Sequence, residues 1–352
     1  MKIKLFARYA VLTAALFACK KEEPDSPVPT SPDGPTTSGF CHLAALKNEY
    51  DYGFSKGVYD TRFEYDAQNR ITKITTTDNG VLSYSSVFKY NTDGFLTEMT
   101  DMRVIGTVGQ DEYTYTLNYQ DNRLAKISCK IIRGKGGSYP SEASSTFTYE
   151  YASPTGLELK KQTNDNIFLS AWFYTNGVVT DYTLGNSHPE TFNASGYPTS
   201  SNATTNYPYE YIYNADNQLI KVNYANKTSS PVFTSTTTFE YSNIKNLYYN
   251  FDYILSFPRA YHGKDGSVIN PSGFKGFPKP HHSISGLGDA NPAYLLKKQV
   301  VTTSDNNAQG RLVTYDYELN PRGLISKFTR NASGTNIYST KEVFTLTYAG
   351  CN

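Results

Sequence analysis

Residues 63–74 read Phe63-Glu64-Tyr65-Asp66-Ala67-Gln68-Asn69-Arg70-Ile71-Thr72-Lys73-Ile74. Phe63 and Tyr65, two apart, share one face of an extended segment. Asp66 suits the first position of a type I turn, and Asn69, three residues on, accepts the left-handed conformation that completes a hairpin bulge. Ile71 then opens a second extended segment. The stretch is a strand, a tight turn and a strand.

This unit recurs along the chain. Segments starting at Tyr65, Tyr90, Phe192, Tyr213 and Leu319 align without gaps. Each has Asp or Asn next (Asp66, Asn91, Asn193, Asn214, Asn320) and Gly or Asn three residues later (Asn69, Gly94, Gly196, Asn217, Gly323). Looser copies start at Leu117, one residue shorter, at Tyr151, one longer, and at Phe173, with a clipped turn. Alternating aromatics precede the turns, as in Phe88 and Tyr90 or Tyr209, Tyr211 and Tyr213. Downstream, Ile71 and Ile74, or Leu96 and Met99, are three apart and would face opposite sides of a regular strand. A bulge and two partly covered faces both fit that spacing.

Composition agrees with strands. The 352 residues include 31 Tyr and 19 Phe, and aromatic side chains fit a pleated, half-buried surface. The prediction is an all-β chain of repeated antiparallel β-hairpins. A net charge of +1 gives no basic excess with which to neutralise phosphates, so nucleic acid is excluded as a partner.

The N-terminus is set apart from the fold. Lys2, Lys4 and Arg8 precede an apolar run from Tyr9 to Ala18, the pattern of an export signal over residues 1–18. That run is shorter than the ~20 residues a membrane helix needs. Leu16-Phe17-Ala18-Cys19 resembles a bacterial lipobox, which implies cleavage before Cys19 and acylation of its thiol. Lys20-Lys21-Glu22-Glu23 looks like the export signal of surface lipoproteins in Bacteroidetes. Residues 19–39 hold prolines at 24, 27, 29, 32 and 35 and no apolar periodicity, and read as a tether. Pro24 to Gly39 could extend up to roughly 50 Å at ~3.1 Å per residue. The expected location is the outer membrane, lipid-anchored and facing the cell exterior.

Residues 40–352 then form a single β domain. Three cysteines remain for it in an oxidising compartment: Cys41, Cys129 and Cys351. A disulfide between Cys41 and Cys351 would clasp the two ends, and three free thiols are the other arrangement.

The repeats resemble the tyrosine-aspartate repeats of the RHS family, of the form Tyr-x-Tyr-Asp-x-x-Gly-Arg-Leu, most closely at residues 63–74 and recurrently along 61–348. Anchor, tether and repeats together resemble an uncharacterised family of Bacteroidetes surface lipoproteins with a porin-like β fold. That resemblance implies a long meander curled into a barrel or half-barrel, and brings no catalytic residue with it. A membrane-spanning barrel is not expected, because strands such as Val232 to Phe239 (VFTSTTTF) are too rich in hydroxyls to face lipid.

The repeats break at about residues 246–296, where Gly and Pro cluster with His262, His281, His282, Arg259, Lys264, Asp265 and Asp289. Long irregular segments are often functional, so a hydrolase or metal site in the 253–292 loop is the competing reading. No HExxH or GxSxG accompanies these residues, and a loop capping one barrel end explains the composition equally well. The expectation is no catalysis, no metal and no cofactor. The protein reads as a binding or structural module, joined to the membrane through its lipid, with a glycan or surface protein as candidate partner. Tyr65, Tyr90 and Tyr213 are candidate ligand contacts, since a tyrosine offers a stacking face with a polar tip. The alternative is that they simply wall the sheet.

Overall fold

A computed structural model describes residues 42–350 except 69, 105–108, 139, 157, 166–169, 177, 185–189, 196, 202–205, 207, 217, 246–293, 305–309 and 335–336. The described elements are all strands: β1 (His42–Asp51), β2 (Lys56–Tyr65), β3 (Ile71–Asp78), β4 (Val81–Tyr90), β5 (Leu96–Val104), β6 (Gln110–Gln120), β7 (Arg123–Lys135), β8 (Ser141–Tyr151), β9 (Leu159–Asn164) and β10 (Ser170–Thr175) form the first half. The second half is β11 (Val178–Leu184), β12 (Glu190–Phe192), β13 (Pro198–Ser201), β14 (Tyr209–Tyr213), β15 (Leu219–Asn226), β16 (Phe233–Lys245), β17 (Tyr294–Thr303), β18 (Arg311–Leu319), β19 (Ile325–Gly334) and β20 (Ile337–Ala349).

Each strand lies antiparallel to the next in sequence, with β11 and β12 side by side but without a described ladder. β1 also pairs with β20, from Asp51↔Lys341 to His42↔Ala349. The meander therefore curls into a nearly closed barrel, which removes the exposed edges that invite aggregation. The repeats predicted the antiparallel hairpins and the family resemblance implied a barrel or half-barrel; the pairing of β1 with β20 makes it a nearly closed barrel.

The turns after even-numbered strands gather at one end of the barrel. There Asx side chains cap the chain reversal. Asp66 Oδ1 accepts from the backbone N–H groups of Gln68 and Arg70, and Asn320 Oδ1 from those of Arg322 and Leu324. Asn91, Asn193 and Asn214 accept the equivalent bond from Phe95, Tyr197 and Gln218. Gly94 and Gly323 sit at φ of 84° and 77°, where a Cβ would be strained. The shorter copy at Leu117 closes instead through Asp121 and Asn122, both at positive φ, as a two-residue hairpin turn requires.

A bulge follows every such turn whose ladder is described, and it resolves the three-residue spacing. Phe63 pairs with Ile74 and Glu64 with Lys73, but Tyr65 pairs with Ile71, so Thr72 has no partner. Thr97, Ala125, Lys160, Ile220 and Ser326 are skipped in the same way. The extra residue flips the side-chain phase by one. Ile71 and Ile74 can then both face inward, at 7% and 0% exposure. The hairpin of β16 and β17 follows the same rule, with Lys297 skipped between Tyr241↔Leu296 and Glu240↔Lys298. Segment 246–293 thus stands where the other hairpins have a tight turn, so the repeat persists on both sides of it.

Inward faces carry the core: Leu46, Ile74, Leu96, Met99, Tyr115, Leu124, Ile127 and Phe344 are buried. A smaller cluster of Leu219, Val222 and Phe239 serves β15 and β16. Outward faces are hydroxyl-rich and charged, with Lys89–Glu98, Lys327–Glu318 and Lys298–Glu240 paired across strands at 2.6, 2.7 and 2.8 Å. Such exposed pairs contribute little stability, ~0–1 kcal/mol each, but they hold the outer surface in water.

Neighbouring hairpins are clasped at the Asx-turn end. The hydroxyls of Tyr65, Tyr90, Tyr119, Tyr151, Tyr241, Tyr317 and Tyr348 donate to the carbonyls of Leu43, Ile71, Leu96, Leu124, Leu219, Leu296 and Ile325 at 2.6–3.0 Å. Each bond joins an even strand to the strand before it. Removing one hydroxyl leaves a half-buried carbonyl short of a donor, so Tyr119→Phe should lower unfolding free energy by about 1 kcal/mol in urea denaturation. An unchanged midpoint would show that the clasp carries no stability.

Candidate functional site

Of the candidate contacts read from sequence, Tyr65 and Tyr90 belong to the clasp. Their hydroxyls are engaged with backbone, and burial pushes both phenols well above the ordinary tyrosine range, which keeps them protonated donors. The Tyr90 ring is also covered by the Arg70 guanidinium at 4.5 Å, which in turn pairs with Asp66 at 2.7 Å. Tyr213 is half-buried, lies 5.3 Å from the ring of Tyr197 and packs on the smaller core cluster. The sheet-wall reading fits all three. They share the Asx-turn end, at the ends of β2, β4 and β14.

Cys19, Cys41 and Cys351 lie outside the described residues, as do Arg259, His262, Lys264, Asp265, His281, His282 and Asp289. Cys129 is a buried free thiol whose pKa burial pushes up to about 12, against a lowering hydrogen bond from Tyr115. It is inert as a nucleophile near neutral pH. Among the described residues no cluster of His, Cys, Asp and Glu could hold a metal ion.

Polar chemistry inside the barrel lies toward the end opposite the Asx turns, and sequence reading missed it. On β4 and β5, Asp101 accepts from Ser86 at 2.5 Å and from Tyr84 at 3.0 Å, and Tyr84 and Ser86 also bond each other. Thr61 and Thr76 share a hydrogen bond at 2.9 Å on the neighbouring strands. This is a buried carboxylate holding two hydroxyls.

The second group spans β18, β19, β20 and β1. The register sets Tyr315 opposite Arg330, Arg330 opposite Glu342 and Glu342 opposite Tyr50. Glu342 is 1% exposed, pairs with Arg330 and accepts from the Tyr52 hydroxyl at 2.8 Å. A buried carboxylate with two partners is held rigidly, and removing either partner leaves an uncompensated charge. Burial disfavours the Arg330 cation, but the charge and hydrogen bond of Glu342 together with those of Tyr315 outweigh it and raise the pKa. Burial first, and the charge of Arg330 second, lower that of Arg311. Burial, reinforced by the charge of Glu342, raises the Tyr52 phenol out of the titratable range.

A tyrosine stack fixes the Tyr52 side of this group. Tyr50 stacks with Tyr52 at 4.9 Å and with Tyr59 at 5.0 Å, and its hydroxyl reaches Asp78 at 3.3 Å. The stack needs Gly57, because a Cβ there would stand 2.4 Å from the Tyr50 hydroxyl. The sequence signal was available in Tyr50, Tyr52 and Gly57, but their convergence on Glu342, 290 residues from Tyr52, depends on barrel closure.

No protein-family model and no curated protein matches the chain. Among solved structures it is similar to a porin-like protein from Bacteroides uniformis ATCC 8492, with TM-score 0.36, 14% identity, and coverage of 87% of this chain and 96% of that one. It is also similar to a porin-like protein from Bacteroides vulgatus ATCC 8482, with TM-score 0.31, 12% identity, and coverage of 87% and 98%. At these values the likeness carries nothing about ligand or activity.

Gly57→Ala should displace Tyr50 and cost about 1–3 kcal/mol of stability, read by thermal or urea unfolding. Gly310→Ala is the control, since its Cβ would meet nothing nearer than the Val301 carbonyl at 3.6 Å, and should stay within ~0.5 kcal/mol. Equal effects at the two positions would contradict the packing described.

Proposed function

We propose that this chain is a non-catalytic lipoprotein of the outer cell surface, a water-facing barrel that serves as a binding or structural module for a glycan or protein ligand. The observation that supports this most is the division of faces: apolar and aromatic side chains fill the inside, while paired lysines and glutamates stand outside. A lipid-embedded barrel needs the reverse, an apolar outer band around a polar lumen.

The topology supports one orientation. β1 begins and β20 ends at the Asx-turn end, so a tether attached through Cys19 would place that end toward the membrane. The opposite end then points outward. Five of the eight most exposed large apolar side chains among the described residues belong to it: Phe54, Val81, Leu82, Val232 and Leu312. Exposed apolar residues gathered at one end favour a binding surface there.

The test is an array of host and dietary glycans probed with residues 40–352, which contain every described strand pairing, with metal content measured on the same sample. The reading expects reproducible glycan binding, or capture of a defined surface protein, without bound metal. Stoichiometric zinc with hydrolysis of an arrayed glycan would favour the enzyme reading in the 253–292 loop. Single-channel conductance of the purified chain in planar bilayers would favour a pore.

A further inference from the structure

The inner wall is not covered evenly. At the end away from the Asx turns, the inward tyrosines of the first half, Tyr50, Tyr59, Tyr84 and Tyr113, are buried. Across β14, β15 and β16 the inner face holds the small cluster of Leu219, Val222 and Phe239, and beyond it Tyr209, Tyr211, Tyr224 and Phe233 are only half-buried. The register fixes their side. Tyr211 stands opposite the buried Val222, Tyr209 opposite Tyr224, and Phe233 opposite Asn226, two residues on from Tyr224. β14 starts at Tyr209, β16 starts at Phe233 and β15 ends at Asn226, so these rings lie at the mouth of the barrel.

The four rings make one run. Tyr211 and Tyr209 stack at 6.3 Å between centroids, Tyr209 and Tyr224 lie at 4.8 Å, and Tyr224 and Phe233 meet edge-on at 6.2 Å. With neighbouring strands ~4.8 Å apart, a run across three strands is roughly 10 Å long. The hydroxyls of Tyr209 and Tyr224 have no hydrogen bond among the described residues, whereas each clasp tyrosine donates to a backbone carbonyl. Beside the rings, the inner face adds the hydroxyls of Ser235, opposite Tyr224, and Thr237, opposite Val222. Glu210, Lys221 and Glu240 alternate onto the outer face, where Glu210 accepts from Asn223 and Glu240 pairs with Lys298. The inner side of this stretch carries no charge among the described residues.

We propose that Tyr209, Tyr211, Tyr224 and Phe233 form a stacking platform for a neutral glycan, with Ser235 and Thr237 as its polar margin. A sugar ring has a C–H face that packs on an aromatic ring and a rim of hydroxyls that needs polar tips, and this wall offers both. It offers no charge to an ionic group. The rings lie on the inner side of a curved sheet, which a slender oligosaccharide follows more readily than a folded protein. This deepens the binding-module reading and rests on it.

The test is titration calorimetry on the full chain, purified in detergent, with maltohexaose, cellohexaose and xylohexaose as probes. Saturable binding of at least one, little changed as salt is raised, is the expected result. Replacing both Tyr209→Ala and Tyr224→Ala should weaken that binding about tenfold or more with the circular dichroism spectrum unchanged. Tyr209→Phe with Tyr224→Phe, which keeps the rings and removes the tips, should fall between. On the unaltered chain, the bound oligosaccharide should also shield Tyr209 and Tyr224 from nitration, read by mass spectrometry, a measurement that requires no variant to fold. The proposal is overturned when none of the three binds, or when nitration of both tyrosines is the same with and without the ligand. It is equally overturned when the double alanine variant binds as wild type, or when the chain captures a surface protein and no oligosaccharide, results that leave the binding-module reading standing.

Discussion

A single extra residue after each turn governs this fold. Side chains in a strand alternate faces, so the two arms of a hairpin agree about which side is inside only if the turn and register keep them in phase. Here the skipped residues, Thr72, Thr97, Ala125, Lys160, Thr180, Thr199, Ile220, Lys297 and Ser326, set that phase. Without the bulge at Thr72, Ile71 would point to solvent while Ile74 stayed in the core. The Asx cap fixes the turn, the turn fixes the bulge, and the bulge allows Tyr65 and Ile71 to face each other on the inner side. The clasp to the preceding hairpin then follows from geometry.

Closure depends on this accumulated phase. β1 meets β20 with Leu46 opposite Leu346 and Asn48 opposite Phe344, inward residues against inward residues. Closure brings the Tyr52 hydroxyl to Glu342, across almost the whole chain, and so completes the buried group that the β19–β20 pair of Arg330 and Glu342 begins. The tyrosine clasps divide this stabilisation into local steps, each bond joining strands adjacent in sequence at ~1 kcal/mol. The aligned copy on β12 lacks the phenol, with Phe192 at that place, and on β18, where the aligned residue is Leu319, the clasp is made two residues earlier by Tyr317. The periodic rule tolerates such gaps because each clasp acts between neighbours alone.

Much of this was legible in the sequence. Asx and Gly or Asn at a fixed spacing mark the hairpins, because those residues answer a backbone demand that is local. The alternation Phe63, Tyr65 and Phe88, Tyr90 marks the inner face for the same reason. The spacing of Ile71 and Ile74 left bulge and two-faced sheet equally open, since register is a property of two strands and not of one. Tyr65, Tyr90 and Tyr213 looked like ligand contacts because a phenol has a polar tip, and the acceptors of the first two turned out to be backbone carbonyls, which no side-chain pattern reveals. Arg330 and Glu342 are twelve residues apart and unremarked in sequence; they meet because β19 and β20 pair, and Tyr52 joins them because the ring closes.

The central claim is that the alternate faces of these strands see enclosed protein on one side and water on the other. Cysteine accessibility tests it directly. With a water-soluble maleimide, Thr345→Cys and Thr148→Cys on the outer face should label rapidly, and Ser86→Cys and Ser145→Cys on the inner face should be protected until the protein is unfolded. Rapid labelling of the inner pair with protection of the outer pair in membranes would contradict the account, and would mean a lipid-embedded barrel with a wet lumen.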